Sequence, residues 1–158
     1  MTDFNQIAAP ASASGPDDER PVSISARLGR LQFHRSGKFR VLQLADIQDG
    51  PKVSKDTIRL IEASLAAARP DVVIFTGNQI AGYDDAYCDT FRKRQWEPAR
   101  RGKIERTRAK VRAGISAFLQ PLIDRGIPFA VTYGNHDAQC GLSPAELDAL
   151  YREFPGCI

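Results

Sequence analysis

Apolar residues follow two rhythms along the chain. Three short runs stand at 39–45 (Phe-Arg-Val-Leu-Gln-Leu-Ala), 71–76 (Asp-Val-Val-Ile-Phe-Thr) and 128–133 (Pro-Phe-Ala-Val-Thr-Tyr). They are too short for helices, and the continuous middle run has the form of a strand buried in a parallel sheet. Between them apolar residues recur at spacings of three and four. Ile58, Ile61, Leu65 and Ala68 mark a helix over 54–69 with Ser54 as N-cap and Pro70 as a stop. Ile104, Val111, Ile115, Phe118, Leu119 and Leu122 mark a second helix over 104–123, ended by Arg125-Gly126. Strands alternating with helices predict right-handed crossovers and an α/β fold, a mostly parallel β core with flanking helices. Ser143-Pro144-Ala145-Glu146 has the form of a capping box with proline at the first helical position, starting a third helix through about Glu153.

Outside these segments the pattern weakens. Residues 1–20 are rich in Ala, Ser, Pro, Gly and Asp with little to bury, and read as a disordered leader to a domain over 21–158. Val22, Ile24, Leu28, Leu31 and Phe33 alternate loosely before a turn at Ser36-Gly37-Lys38, a pattern expected of a peripheral hairpin. From Gly82 to Gly102 the chain is irregular, with Tyr83, Tyr87, Phe91 and Trp96 among charges.

Composition narrows the class without choosing a function. With 42% hydrophobic and 26% charged residues among 158, the chain has an ordinary globular composition, and a net charge of +3 does not indicate a nucleic-acid partner. Three cysteines, Cys88, Cys140 and Cys157, lack C-x-x-C spacing, so neither a disulfide framework nor a structural zinc is indicated and a reduced, cytoplasmic setting is expected. No secretory signal pattern is present, and no run approaches the ~18 apolar residues of a membrane span.

The chemistry-bearing residues sit where the three strands end. These ends read Asp46-Ile47-Gln48, Gly77-Asn78-Gln79 and Gly134-Asn135-His136-Asp137. Taken singly, such a cluster also reads as turn residues or a helix cap. In a parallel sheet, however, all three ends lie at one edge, where open α/β folds bind ligands. Mixed oxygen and nitrogen donors of this kind suit Mn, Fe or Zn in a two-metal site rather than a closed structural zinc.

These three motifs resemble the opening motifs of the calcineurin-like metallophosphoesterases, near their purple-acid-phosphatase-like branch: Asp-x-His, Gly-Asp-x, and Gly-Asn-His followed by Asp or Glu. The likeness runs from about Phe39 to Phe154, and the third motif is intact. It implies the N-terminal half of an αββα sandwich. It also implies two divalent metals, a phosphorylated substrate, and hydrolysis by a metal-activated water. By this resemblance Asp46 holds one metal, Asn135 the other, and His136 protonates the leaving group or steadies the transition state. Gln48 stands where the family has a ligating His, and Asn78 where a carboxylate bridges both ions. The C-terminal His motifs of the family have no counterpart here, since the only histidines are His34 and His136. The expectation is therefore a fragment or truncated product whose activity is weakened, marginal in stability and without turnover by itself. A non-catalytic relative binding a phospho-ligand or a partner stands beside it.

Two further features have ordinary readings. His34 reads as a surface or capping residue rather than a ligand. The basic stretch from Arg92 to Arg112 reads as a solvated loop and helix face, with a lid of Arg92 to Arg101 and Trp96 over an anionic phosphoester as the sharper alternative.

Overall fold

The computed structural model describes residues 15, 18–20, 22, 31–94 and 103–158. The sequence expectations of a disordered leader, of most of the hairpin and of the Trp96 lid fall largely outside these residues. The chain divides into two compact units, Met1–Phe39 and Arg40–Ile158. In the first, His34 is half-buried and its Nδ1 lies 2.6 Å from the Glu19 carbonyl, a local bond rather than part of any ligand cluster.

The second unit holds strands β1 (Val41–Leu44), β2 (Val72–Thr76) and β3 (Phe129–Thr132), with helices α1 (Lys55–Ala68), α2 (Ile104–Asp124) and α3 (Pro144–Tyr151). All strand pairs are parallel, in the order β1-β2-β3. Gln43, Ile74 and Ala130 form one rung and Leu44, Phe75 and Val131 the next. α1 begins at Ser54, whose hydroxyl accepts from the Asp56 N–H, and ends because Arg69 turns left-handed at φ 45° before Pro70 is reached. α3 begins with the expected capping box, Ser143 and Glu146 satisfying each other's backbone N–H groups. α2 runs through Pro121 and ends at Asp124, where Gly126 at φ 63° reverses the chain into β3.

Side chains alternate across a strand, so Leu42, Leu44, Val73, Phe75, Phe129 and Val131 share one face. All three helices pack into the core on that face, through Ile61 and Leu65, then Val111, Ile115, Phe118, Leu119 and Leu122, then Leu147, Leu150 and Tyr151. Phe75 sits between Phe118 and Phe129, with ring centroids 5.6 and 6.1 Å away. Burying each such ring contributes roughly 2–3 kcal/mol. The opposite face carries Val41, 57% exposed, with Gln43, Thr76 and Thr132. Buried parallel strands lead one to expect helices on both faces; here the helices of the described unit cover one. At the far edge of β3, Phe129 pairs in parallel with Cys157, its N–H donating to the Gly156 carbonyl and its carbonyl accepting from the Ile158 N–H.

Candidate functional site

Beyond β1 and β2 the backbone is bent by residues in the left-handed region: Asp46 (φ 54°) and Gln48 (φ 45°) after the first, Asn78 (φ 56°) after the second. Asn and Asp tolerate this conformation; Gln48 holds it at a cost of about 1 kcal/mol, which the surrounding bonds must offset. The ladder continues through the bend, with Asp46 N–H donating to the Gly77 carbonyl and Gln48 N–H to that of Asn78. Gly134 lies against this loop. A Cβ there would stand 2.1 Å from Asn78 Oδ1 and 2.7 Å from its backbone nitrogen, so only glycine lets the β2 and β3 ends meet.

The expected residues converge. Asn78 Nδ2 and Gln48 Nε2 each donate to Asp46 Oδ1 at 3.0 Å. Asn78 Oδ1 accepts from the His136 N–H at 3.0 Å, and Gln48 Oε1 accepts from the Tyr83 hydroxyl at 2.9 Å. The Tyr83 ring meets His136 edge-on, with centroids 4.9 Å apart. Asn135 is exposed at the same strand end. Asn78 and then Gln48, by their hydrogen bonds, hold the Asp46 carboxyl below the usual carboxylate range, and the nearby charge of His136 adds to this.

Asp137, the last residue of the intact motif, serves a different purpose. It is wholly buried, and its carboxylate accepts from the N–H groups of Asn78 (2.7 Å), Gly134 (2.7 Å) and Ile80 (2.9 Å), stitching the β2 loop to the β3 loop. Burial pushes its carboxyl above the ordinary range, outweighing those amide donors. Arg92 is likewise spent on backbone, its guanidinium capping the carbonyls of Ala138 and Leu142, so it does not reach into the cleft as a lid residue would. Beside Asp46 lies a cavity of ≈ 210 Å³ lined by Leu44, Ile47, Thr57, Leu60 and Ile61.

The donor set does not fit a two-metal clamp as it stands. Two dications bring four positive charges, and Asp46 supplies the only carboxylate among the described residues of the cleft that is not committed to backbone amides. Both amide nitrogens that flank it point at that carboxylate, and their oxygens already accept from Tyr83 and from the His136 N–H. Among the described residues no three His, Cys, Asp or Glu side chains gather to hold a metal.

A parallel three-stranded sheet with helices packed on one face and three polar loops at one edge defines an α/β fold whose strand ends form the cleft. The sequence profile of the calcineurin-like phosphoesterases matches residues 39–156, and the chain belongs to that family. It is 26% identical over 151 residues to the phosphatase DCR2 of Saccharomyces cerevisiae, covering 86% of this chain and 22% of the relative. It is 22% identical over 145 residues to the probable inactive purple acid phosphatase 14 of Arabidopsis thaliana, covering 82% and 31%. With the probable inactive purple acid phosphatase 29 of the same plant it shares 25% over 135 residues, covering 75% and 29%. The chain thus spans between about a fifth and a third of the length of these relatives. No solved structure matches it.

Two residues of the cleft escape the motif reading. Tyr83 lies five residues past Asn78, and Gln139 three past His136; the aromatic-rich stretch after Gly82 is the only sequence signal for the former, and nothing in the pattern marks the latter.

Proposed function

We propose that this chain carries the phosphoester-binding cleft of a phosphoric ester hydrolase, weakened at positions 48 and 78. The observation that supports it is the meeting of Asp46, Asn78, Asn135 and His136 at one sheet edge, together with membership of a phosphoesterase family. Members of that family generally use divalent metals, and Asp46, Gln48, Asn78 and Asn135 are the positions where Mn, Fe or Zn ions would be sought. The work assigned to this chain's own residues is narrower. His136 meets a phosphoester oxygen and supplies a proton to the departing group. Tyr83 packs its ring against His136 and steadies Gln48 through its hydroxyl. Asp137 fixes the distance between the two loops. A reduced, cytoplasmic setting accords with three free cysteines, Cys88, Cys140 and Cys157.

One observation favours a second reading, a non-catalytic relative that binds a phosphorylated ligand: positions 48 and 78 carry neutral amides, so among the described residues Asp46 alone brings to the meeting point of the loops a negative charge not committed to backbone amides. Metal analysis and hydrolysis of an aryl phosphate separate the two. In the protein expressed from its whole gene, Asn78→Asp adds a carboxylate beside Asp46. It should raise metal content, and should raise the hydrolytic rate on the order of 10²-fold, ~3 kcal/mol in barrier. Equal metal content and equal rates in parent and variant would remove position 78 from the hydrolytic site.

A further inference from the structure

His136 is held by a side chain that the motif does not contain. Its Nδ1 lies 2.8 Å from Gln139 Oε1, while Gln139 Nε2 donates to the Lys93 carbonyl at 2.9 Å. The second bond settles the first. A carbonyl takes only a donor, so the nitrogen of the Gln139 amide faces Lys93 and its oxygen faces the imidazole. An amide oxygen accepts and never donates, so the proton of the ring sits on Nδ1. Nε2 is then the nitrogen left with a lone pair when the ring is neutral.

The backbone enforces the same arrangement. His136 immediately precedes the 3-10 turn Asp137–Cys140, and its carbonyl accepts from the Gln139 N–H at 3.0 Å, which sets the two side chains side by side. Cys140 is buried at the end of that turn, and Arg92 ties the Ala138 carbonyl from outside. On another side the ring meets the edge or face of Tyr83, at an interplanar angle of 76°. Held by a hydrogen bond at Nδ1 and by an aromatic contact, the imidazole has little freedom to rotate or to exchange tautomers.

We propose that Gln139 is the positioning residue of this cleft: by accepting from Nδ1–H it leaves Nε2 as the nitrogen that takes up the second proton, and turns it so that Nε2–H donates to an anionic phosphoester oxygen. The tautomer assignment stands on the contacts alone, whereas the identity of the oxygen rests on the phosphoester reading given above. Because the Gln139 amide is itself oriented by the Lys93 carbonyl, the backbone at position 93 is part of the same device.

The test is long-range ¹H–¹⁵N correlation NMR on the 158-residue chain, at about two pH units above the ordinary histidine value so that the rings are neutral. The chain has two histidines, and His34→Gln assigns the remaining signals to His136. The expected result is an Nδ1–H pattern for His136 in the parent. Gln139→Leu, which keeps the volume and removes the acceptor, should lose that pattern and give the mixture of a free imidazole. Gln139→Glu, which restores an acceptor, should recover it. An Nε2–H pattern in the parent, or an unchanged pattern in Gln139→Leu, would overturn the assignment. Should Gln139→Leu fail to fold, the parent and Gln139→Glu decide the matter, because Nε2–H in either contradicts it.

Inorganic phosphate is then titrated into the same proteins at about one pH unit below the ordinary histidine value, where the ring carries both protons and Nε2–H can donate. Phosphate should shift the His136 signals of the parent and bind about tenfold more weakly to Gln139→Leu, the scale of one lost charge-assisted hydrogen bond. An Nδ1–H parent whose His136 ignores phosphate would sink the phosphoester reading and leave the positioning role of Gln139 in place.

Discussion

Asp137 is the residue on which the cleft's shape depends, although its side chain is wholly buried beneath the loops. Its two oxygens gather three backbone N–H groups from two loops that no strand ladder joins. Asp137→Ala strands those donors in a place that water cannot easily reach, at about 1–3 kcal/mol for each group; relief from burying a carboxylate returns part of that. The net expectation is a loss of about 3 kcal/mol, read as a lower urea midpoint with unchanged slope. A midpoint within experimental scatter of the parent would refute the stitching role. The left-handed residues Asp46, Gln48 and Asn78 and the donors of Asp137 belong to tertiary contact, and no local pattern announces them. The motif Gly-Asn-His-Asp placed His136 and Asn135 at a strand end because turn-forming polar residues after an apolar run have few other homes. It could not say that its Asp faces inward, that Gln48 and Asn78 turn their amide nitrogens to Asp46, or that Gln139 would reach back to His136.

At the level of elements, local chemistry was the better guide. α1 and α3 start at Ser54 and Ser143, as their capping residues required, and α1 ends at Arg69 one residue before the proline. The capping box of α3 gives a prediction with a definite sign. The Ser143 backbone N–H, above the other contacts from Ser143 and Arg108, draws the Glu146 carboxyl below its ordinary 4.5. A lowered folded value means that this group stabilises the fold above about pH 4.5 and that the contribution fades as pH falls through the folded value. Glu146→Gln should therefore flatten the acid side of a melting-temperature profile while changing its neutral side less steeply with pH. Ser143→Ala, which removes the cap hydroxyl, should cost about 1 kcal/mol. A parent profile that stays level from pH 6 to the acid limit would contradict the linkage. What the periodicity did not foresee was the one-sided packing: apolar stripes on α1 and α2 show that each helix buries a face, but not that both would choose the same side of the sheet.

Seen across the whole unit, the sheet grows from β1 to β3 and then takes on a further partner, the segment ending at Ile158, whose N–H and that of Phe129 bridge the two. No apolar run marked this pairing, because three residues are too few to show a period. Deleting residues 156–158 removes two backbone hydrogen bonds at about 0.5–1.5 kcal/mol each and bares the edge of β3. The shortened chain should unfold at lower urea by about 1–3 kcal/mol and self-associate more readily, as sedimentation would reveal. Among the described residues no helix is long and apolar enough to cross a membrane.

The direction of that last pairing has a practical consequence. Since Cys157 lies beside Phe129 and runs parallel to it, anything attached after Ile158 sets out along β3 toward Thr132, the end of the sheet where His136 waits. A purification handle or reporter fused at this terminus would be led to the rim of the cleft. Ligand measurements on such a fusion would then report on the handle as much as on the protein.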